Sequence, residues 1–241
     1  PYTTLFRSGM KADLIHDIQR SWPVVSIAGV NNTKTLDKML GTALTLPNAV
    51  GISIATRADC LDEEKCSLLG EYAKKTYLVC ELGLQTIHDR TALEMNRCHT
   101  YADFLKGVDM LRENGVNVCV HIINGLPNET PQMMRETAKE LSSLDLHMVK
   151  IHLLHVLKNT ALADMYARGE FEAMELYDYV NTVCDQIELF PERFIIGRVT
   201  GDGARDELIA PLWSLKKFTV MNEIDKELAR RGTYQGIKYK L

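Results

Sequence analysis

Short apolar runs alternate with longer amphipathic segments along almost the whole chain, and this alternation limits the possible folds. The short runs are rich in β-branched residues, as buried strands are. Expected strands cover Val24–Val30, Val50–Ala55, Thr76–Leu84, Val116–Ile123, Met148–Val156 and Phe194–Val199. Expected helices cover Leu36–Leu44, Asp62–Lys75, Tyr101–Glu113, Thr130–Leu144, Glu175–Leu189 and Ser214–Arg231. The pattern predicts an α/β fold with a parallel sheet covered by helices, and leaves a barrel and an open doubly wound sheet as alternatives.

Polar residues recur directly after these expected strands. They are Thr56–Asp59, Gln85-Thr86, Asn124-Gly125, His152 with His155, and Thr200–Asp202. The carboxyl ends of parallel strands meet at one edge of a sheet, where loops on a rigid scaffold build functional sites. We therefore expect one active edge of the sheet, whatever chemistry it performs.

The net charge and the hydropathy of the chain bear on whether it binds nucleic acid or a membrane. A net charge of -4 argues against a nucleic-acid footprint over the whole surface. The segment Leu212–Leu241 differs, with seven basic and three acidic residues. We interpret it as a solvated helix face rather than a phosphate-binding surface. No apolar run approaches the roughly 18 residues of a membrane span, so no membrane partner is expected.

The chain has six cysteines, and their spacing excludes the usual cysteine motifs. They are Cys60, Cys66, Cys80, Cys98, Cys119 and Cys184. None of them forms a C-x-x-C or a C-x3-C-x2-C motif. Two of them lie in apolar strand-like runs, where a free thiol behaves as a small hydrophobic group. The pattern is typical of a cytoplasmic protein with free thiols, and we expect that location.

The first eight residues are expected to be foreign to the natural protein. They read PYTTLFRS, from Pro1 to Ser8, which is similar to the translation of a common sequencing-library adapter. We exclude residues 1–8 from the interpretation as a scar and expect natural sequence to begin near Gly9.

Six strings follow one another in the rest of the chain. They are GISIATRADC (Gly51–Cys60), ELGLQTIHDRTALEMNRCH (Glu81–His99), VCVHIINGLPNET (Val118–Thr130), KIHLLHVLKNT (Lys150–Thr160), VTGDGARDELIAPLWS (Val199–Ser214) and RRGTYQG (Arg230–Gly236). In order and spacing they resemble the YhcC-like family of radical S-adenosylmethionine (SAM) proteins. That family is similar to the elongator catalytic subunit and to oxygen-independent coproporphyrinogen dehydrogenase. The likeness runs from about Val50 to the C-terminus.

The resemblance implies a fold and a chemistry. The implied fold is a partial (β/α)6 barrel, here residues 9–241, with a C-terminal strand–helix extension from about residue 160. In the family, three cysteines after the first strand hold a [4Fe–4S] cluster that binds SAM. Reductive cleavage of SAM then gives a 5′-deoxyadenosyl radical that takes hydrogen from a substrate. Val24–Val30 would be the second strand, so the first strand and the cluster cysteines are expected upstream of Gly9.

The resemblance also implies SAM-binding residues. Gln85 and Arg97 match polar positions that contact SAM in the coproporphyrinogen branch. An amide suits ribose hydroxyls, and a guanidinium suits a carboxylate. Glu81 and Arg57 are further candidates, and a structural ion pair between these two is an equal alternative.

The strand Val116–Ile123 supplies two more candidates. His121 and Ile123 match positions that meet the ribose and adenine in the family. His121 would bind a hydroxyl group, and Ile123 would form an apolar wall. A core histidine with structural hydrogen bonds is the equal alternative for His121.

The substrate side is expected on the last strands of the barrel. Lys150 and His152 share one strand face, and at most one of His152 and His155 is expected to face the substrate. Thr200, Asp202 and Arg205 belong to a loop that would close this side. An ordinary loop is the alternative for these three residues.

Some positions depart from the family pattern. They are Ala58 for proline, Cys98 for glycine, Asn124 for leucine, Asn128 for glycine and Gly197 for histidine. The segment Gly9–Thr35 also matches poorly, which affects the part of the site that would bind the methionine moiety.

Four hypotheses follow. The first is a radical SAM enzyme that needs an electron donor and acts on an unknown substrate, a small molecule or RNA. The second is a catalytically inactive fragment that lacks the cluster cysteines. The third is a nucleotide-binding barrel without a cluster, although no G-x-G-x-x-G or P-loop motif is present. The fourth is an RNA-binding barrel that uses the basic C-terminal segment.

Overall fold

A computed structural model describes residues 24–28, 32–47, 49–201 and 205–240, with only the backbone for 24–28. The expected scar and the start near Gly9 lie outside the described residues, as does Asp202. The strands are β1 Val24–Ala28, β2 Gly51–Thr56, β3 Tyr77–Gln85, β4 Asn117–Asn124, β5 Met148–Leu153, β6 Val156–Leu157, β7 Ile195–Arg198 and β8 Leu208–Ala210. The helices are α1 Thr33–Leu44, α2 Glu63–Ala73, α3 Asp89–Glu94, α4 Tyr101–Glu113, α5 Pro131–Ser142, α6 Ala161–Ala167, α7 Leu176–Leu189 and α8 Lys217–Arg231.

Six of the strands form one parallel sheet in the order β1-β2-β3-β4-β5-β7. Strands that are consecutive in this sheet are joined through helices, which is the connection that parallel neighbours require. The prediction of an α/β partial barrel is therefore confirmed. The expected strand Met148–Val156 is interrupted after Leu153, so that its last residue belongs to β6 instead of β5. β6 pairs with β8 in a separate antiparallel sheet.

The two faces of the sheet differ in chemistry. On the outer face, alternate residues such as Leu82, Val120 and Ile151 are fully buried in the main core under the helices. On the inner face, Glu81 and His121 are half-buried and polar. Because side chains alternate between faces with a period of two, a single strand supplies both the core and the polar inner surface.

A small apolar layer lies on the inner face below the polar residues. It contains Val79, Cys119 and Met148, with Ile195 packed against them. This layer fills the inner face toward the amino ends of the strands. The polar residues that follow on the same face of each strand therefore lie nearer the carboxyl edge of the sheet, where the sequence predicts a site.

The helices begin at the residues that the sequence favours. Thr100 forms a capping box with Asp103 at the start of α4, and Thr130 caps α5 directly before Pro131. α8, with 15 residues, is the longest of the described helices. No helix in the described ranges combines the length and apolarity needed to cross a bilayer.

The basic C-terminal segment is held by ion pairs. Arg231 contacts Asp185 and Glu227 at 2.7 Å each, and Lys238 contacts Glu188. The Arg231–Asp185 pair joins α8 to α7, the Arg231–Glu227 pair lies within α8, and the Lys238–Glu188 pair joins the segment after α8 to α7. Much of the local positive charge is thereby compensated, which supports a structural role for this segment.

Replacing Gly70 in α2 by alanine is expected to lower the free energy of unfolding by about 1–3 kcal/mol. A Cβ atom there would lie 2.6 Å from the backbone oxygen of Asn114, so α2 would have to move. Gly41→Ala in α1 is the matched control, since its nearest neighbour would be the Tyr72 hydroxyl at 3.4 Å. Urea unfolding measures both variants, and equal effects would contradict the packing argument.

Candidate substrate and cofactor site

Five polar side chains meet on the inner face of the sheet, and we call them the interior cluster. They are Ser53 on β2, Glu81 on β3, His121 on β4, and Lys150 and His152 on β5. The parallel register brings them together. His121 lies opposite Gly83 on one side and Lys150 on the other. Four neighbouring strands thus contribute to one site.

Glu81 is the centre of the interior cluster. Its Oε1 accepts a hydrogen bond from Ser53 Oγ at 2.5 Å. Its Oε2 accepts from Lys150 Nζ at 2.5 Å and from His121 Nε2 at 2.6 Å. Burial raises the pKa of this carboxyl group, but the hydrogen bonds outweigh burial and hold the pKa far below its ordinary value. Glu81 is therefore an ionised carboxylate whose two oxygens are both used.

His121 connects Glu81 to His152. His121 Nδ1 lies 3.0 Å from His152 Nε2, and the two rings stack with centroids 4.9 Å apart. Burial, followed by the neighbouring His121, lowers the pKa of His152 to about 3. His152 is therefore neutral at physiological pH.

Acidification from about pH 7.5 to about pH 4.5 is expected to destabilise the wild-type chain more than a His152→Gln variant. The unfolded chain binds a proton on this imidazole near its ordinary pKa, whereas the folded chain does so only near about 3. The contribution of neutral His152 to the free energy of unfolding is fully present above the ordinary pKa of histidine. Below that pKa it is lost by about 1.4 kcal/mol per pH unit. Urea unfolding at both pH values measures the difference. A variant with the same pH dependence as the wild type would contradict the burial of His152.

The alternative of an ion pair between Glu81 and Arg57 is wrong. Arg57 Nε and Nη2 donate instead to the two carboxylate oxygens of Asp59, at 2.9 and 2.5 Å. The short 3₁₀ turn Ala58–Cys60 folds Asp59 back toward Arg57. A partner two residues away requires no tertiary contact, and the oxygens of Glu81 are already occupied.

Gln85 and Arg97, twelve residues apart in the chain, lie together at the end of β3. A Cβ atom on Gly83 would lie 2.9 Å from Gln85 Nε2 and 3.2 Å from Arg97 Nη2, so both side chains lie over this glycine. Arg97 Nη2 donates to the Gly83 carbonyl oxygen at 2.6 Å. Gln85 Oε1 and Arg97 Nε are buried and have no hydrogen-bond partner among the described residues.

The backbone of Gln85 is also unusual. Its φ is +75°, where side chains other than glycine are rarely found, and the register between β3 and β4 shifts between Gly83 and Gln85. Backbone strain of this kind is typical of functional sites. The strained conformation places the amide group beside Arg97.

The other predicted residues take different positions. Ile123 is half-buried and lies opposite His152 in the register between β4 and β5. Thr200 is buried, and Arg205 is exposed in the turn before β8. His152 and His155 both approach Gly201, where a Cβ atom would lie 3.4 Å from His152 Nδ1 and 3.6 Å from His155 Cε1.

The interior cluster was not predicted as a unit from the sequence. Ser53 and Cys119 were not recognised as site residues, although both lie on inner-face positions of their strands. Within the described ranges, Glu81, Cys119 and His121 are the one group of three with ligand atoms close enough for a metal ion, within 4.8 Å. Burial raises the pKa of the Cys119 thiol, and the Lys150 ammonium group occupies Glu81 Oε2. The geometry is therefore that of a hydrogen-bonded ion pair.

Comparison with known proteins links this geometry to a family. Residues 12–141 match the family model described as the Radical SAM superfamily, and residues 146–230 match the Radical_SAM C-terminal domain. The Bacillus subtilis protein YtqA is 48% identical over 203 residues, which are 84% of this chain and 63% of that protein. The Escherichia coli protein YhcC is 34% identical over 83% of this chain and 65% of its own length. The chain thus spans less than two thirds of these relatives.

Solved structures agree in fold. The Elp3 protein of the archaeon Methanocaldococcus infernus superposes with a TM-score of 0.70 at 20% sequence identity. The superposition covers 83% of this chain and 46% of that one. At this identity the likeness shows the fold alone.

Proposed function

Because the chain belongs to the radical SAM superfamily, we propose that the intact protein cleaves SAM reductively at a [4Fe–4S] cluster. The cluster and SAM together supply a radical that takes a hydrogen atom from the substrate. The YhcC-like resemblance predicted from the six strings is confirmed by the match to YhcC. An enzyme with radical SAM chemistry is what this family implies.

The residues of this chain do not fit the cluster itself. The sequence has no C-x3-C-x2-C motif, and the candidate ligand group in the described part of the chain includes only one cysteine. Cluster ligation requires cysteine thiolates. We therefore propose that the cluster cysteines belong to the intact protein upstream of Gly9, and that the 241-residue chain alone does not cleave SAM.

The residues of this chain do fit SAM, and Gln85 with Arg97 carries this proposal. Two buried polar atoms of this pair, Gln85 Oε1 and Arg97 Nε, lack hydrogen-bond partners in the described ranges. A buried polar group without a partner costs about 1–3 kcal/mol, so a ligand that supplies hydrogen-bond partners to both atoms would be stabilised at this position. A guanidinium group suits the SAM carboxylate, and an amide suits the ribose hydroxyl groups.

The remaining SAM candidates receive more limited roles. Ile123 provides an apolar wall near the end of β4. His121 and Glu81 have their polar atoms engaged with each other and with neighbours, so they support the interior cluster rather than bind SAM. Arg57 is held by Asp59, which occupies both its Nε and its Nη2.

We place the substrate over the interior cluster. Lys150 and His152 lie there on one strand face, and Thr200 lies nearby after β7. Asp202 and Arg205 remain candidates for the loop that closes this side. We propose a cytoplasmic location, where an electron donor for the cluster is available. The proposed substrate is a small molecule or an RNA.

Anaerobic reconstitution of the intact protein, with the segment upstream of Gly9 present, tests the proposal. Dithionite and SAM are added, and 5′-deoxyadenosine and methionine are quantified by mass spectrometry. We expect both products from the intact protein and neither from the 241-residue chain. A protein with the full iron content of the cluster and no SAM cleavage would contradict the proposed function.

A further inference from the structure

Arg97 lies in the turn between α3 and α4, and the backbone of this turn is strained on both sides of it. Asn96 has a φ of +54° and Cys98 a φ of +63°. Asparagine adopts this left-handed region readily, whereas most other residues with a Cβ atom adopt it rarely. Such a conformation persists only where the surrounding contacts maintain it. The turn that carries Arg97 therefore depends on the contacts of its own backbone.

Both backbone polar groups of Arg97 make such contacts. Its N–H donates to the carbonyl oxygen of Ala92 in α3 at 2.9 Å. Its own carbonyl oxygen lies 3.0 Å from His99 Nδ1. A carbonyl oxygen only accepts, so Nδ1 carries the hydrogen of this bond in the neutral and in the protonated imidazole alike. The direction of the bond is therefore independent of the charge on His99.

Asp59 is another acceptor near His99, and the distances decide between the two. Asp59 Oδ1 lies 4.0 Å from His99 Nδ1, which is beyond hydrogen-bonding distance. The two carboxylate oxygens of Asp59 also accept hydrogen bonds from Arg57. His99 Nδ1 therefore donates to the carbonyl oxygen of Arg97.

The ring of His99 is itself anchored. Its side chain is only 2% exposed. The next residue, Thr100, forms the capping box of α4 with Asp103. Tyr101 N–H donates to Asp89 Oδ1 at 2.7 Å, which ties the start of α4 to the start of α3. A buried ring at a fixed helix start has little freedom, so His99 relates the backbone of Arg97 to the position of α4.

The side chain of Arg97 extends from this fixed backbone to the candidate SAM site. Its Nη2 donates to the Gly83 carbonyl oxygen at 2.6 Å, and it lies beside Gln85 over this glycine. A long side chain loses conformational entropy when a ligand immobilises it. A backbone that is already fixed reduces this loss and strengthens binding.

We propose that His99 is a positioning residue, which holds the turn of Arg97 and so directs the guanidinium group over Gly83 toward a carboxylate ligand. The inference rests on the proposed function only in taking this carboxylate to be that of SAM. The hydrogen bond that holds the turn is a property of the chain itself.

A shape-matched pair of variants tests this hydrogen bond in the intact protein. Leucine and asparagine have the same branching, but only asparagine offers an amide hydrogen near the place of Nδ1. Trypsin cleaves after Arg97 only when the turn opens, and mass spectrometry quantifies the fragment that begins at Cys98. We expect His99→Leu to accelerate this cleavage roughly 3- to 10-fold, as for the loss of one hydrogen bond. His99→Asn is expected to restore slow cleavage.

Cleavage after Arg135 is the control in the same digests. Arg135 lies within α5, whose buried face packs in the core, so cleavage there requires a core helix to unfold. We expect equal cleavage after Arg135 in His99→Leu and His99→Asn, because the two variants match in size. Equal cleavage after Arg97 in both variants, or a parallel increase after Arg135, would overturn the inference.

Isothermal titration calorimetry of the reconstituted intact protein tests the consequence for SAM. We expect a Kd roughly 3- to 10-fold higher in His99→Leu than in His99→Asn, and no further increase when His99→Leu is added to Arg97→Ala. An undiminished effect of His99→Leu in the Arg97→Ala background would overturn the positioning role. The trypsin assay needs neither cluster nor SAM. A cleavage difference together with wild-type SAM affinity in Arg97→Ala would therefore support the held turn and contradict the proposed SAM contact.

Discussion

Replacing Glu81 by leucine is expected to lower the free energy of unfolding by about 3–5 kcal/mol. The change removes the partner of the Lys150 ammonium group, whose side chain is only 21% exposed, and leaves its charge uncompensated. It also removes the acceptor for Ser53 and His121. For a chain of this size the expected decrease in Tm is roughly 6–20 °C. Thermal and urea unfolding measure the effect.

Two further variants give this prediction a control. The double variant Glu81→Leu/Lys150→Met removes both charges and is expected to recover most of the lost stability, because a buried ion pair is often replaceable by apolar residues. Glu71→Leu breaks the ion pair between Glu71 and Lys74, whose side chains are 59% and 69% exposed, and should leave the free energy of unfolding nearly unchanged because solvent screens this pair. A Glu81→Leu effect as small as that of Glu71→Leu would show that the interior ion pair does not form.

Replacing Arg97 by alanine in the intact protein is expected to raise the Kd for SAM by roughly 10- to 100-fold. A charge-assisted hydrogen bond contributes about 1.5–3 kcal/mol, and about 1.4 kcal/mol corresponds to a factor of ten. The half-buried guanidinium is already directed over Gly83 beside Gln85, so its loss removes a preformed contact. Isothermal titration calorimetry with SAM measures the change.

Arg90 provides the matched control for this prediction. Its side chain is 91% exposed and pairs only with Glu94 among the described residues, so Arg90→Ala should leave the Kd for SAM unchanged. Gly83→Ala is a second test, because the added Cβ displaces Gln85 and Arg97 without removing either side chain. We expect weaker SAM binding in Gly83→Ala as well. Unchanged affinity in Arg97→Ala would remove this residue from the proposed SAM site.

The long elements could be predicted from the sequence because each carries enough periodic residues. The expected helix Tyr101–Glu113 is the observed α4, and the expected strand Thr76–Leu84 differs from β3 by one residue at each end. The short elements α3, α6, β6 and β8 were not predicted. They contain only 6, 7, 2 and 3 residues, which is too few to show a period.

The Arg57 prediction failed for an identifiable reason. The prediction paired Glu81 with Arg57 at the end of the neighbouring strand, and Arg57 does directly follow β2, while Glu81 lies within β3 opposite Ala55. It did not account for the local hydrogen bonds to Asp59 at 2.5 and 2.9 Å. An ion pair within a turn forms without loss of further chain entropy, so it prevails over a tertiary pair of equal chemistry.

The sequence by itself determined the order of strands and helices, the parallel sheet and the membership of the radical SAM superfamily. These follow from periodicity and from strings of neighbouring residues, which are local properties of the chain. Only the tertiary structure decided the interior cluster, because Glu81 contacts Ser53, His121 and Lys150 across separations of 28, 40 and 69 residues. The register of parallel strands sets which inner-face residues share a layer, and register depends on how helices and strands pack together.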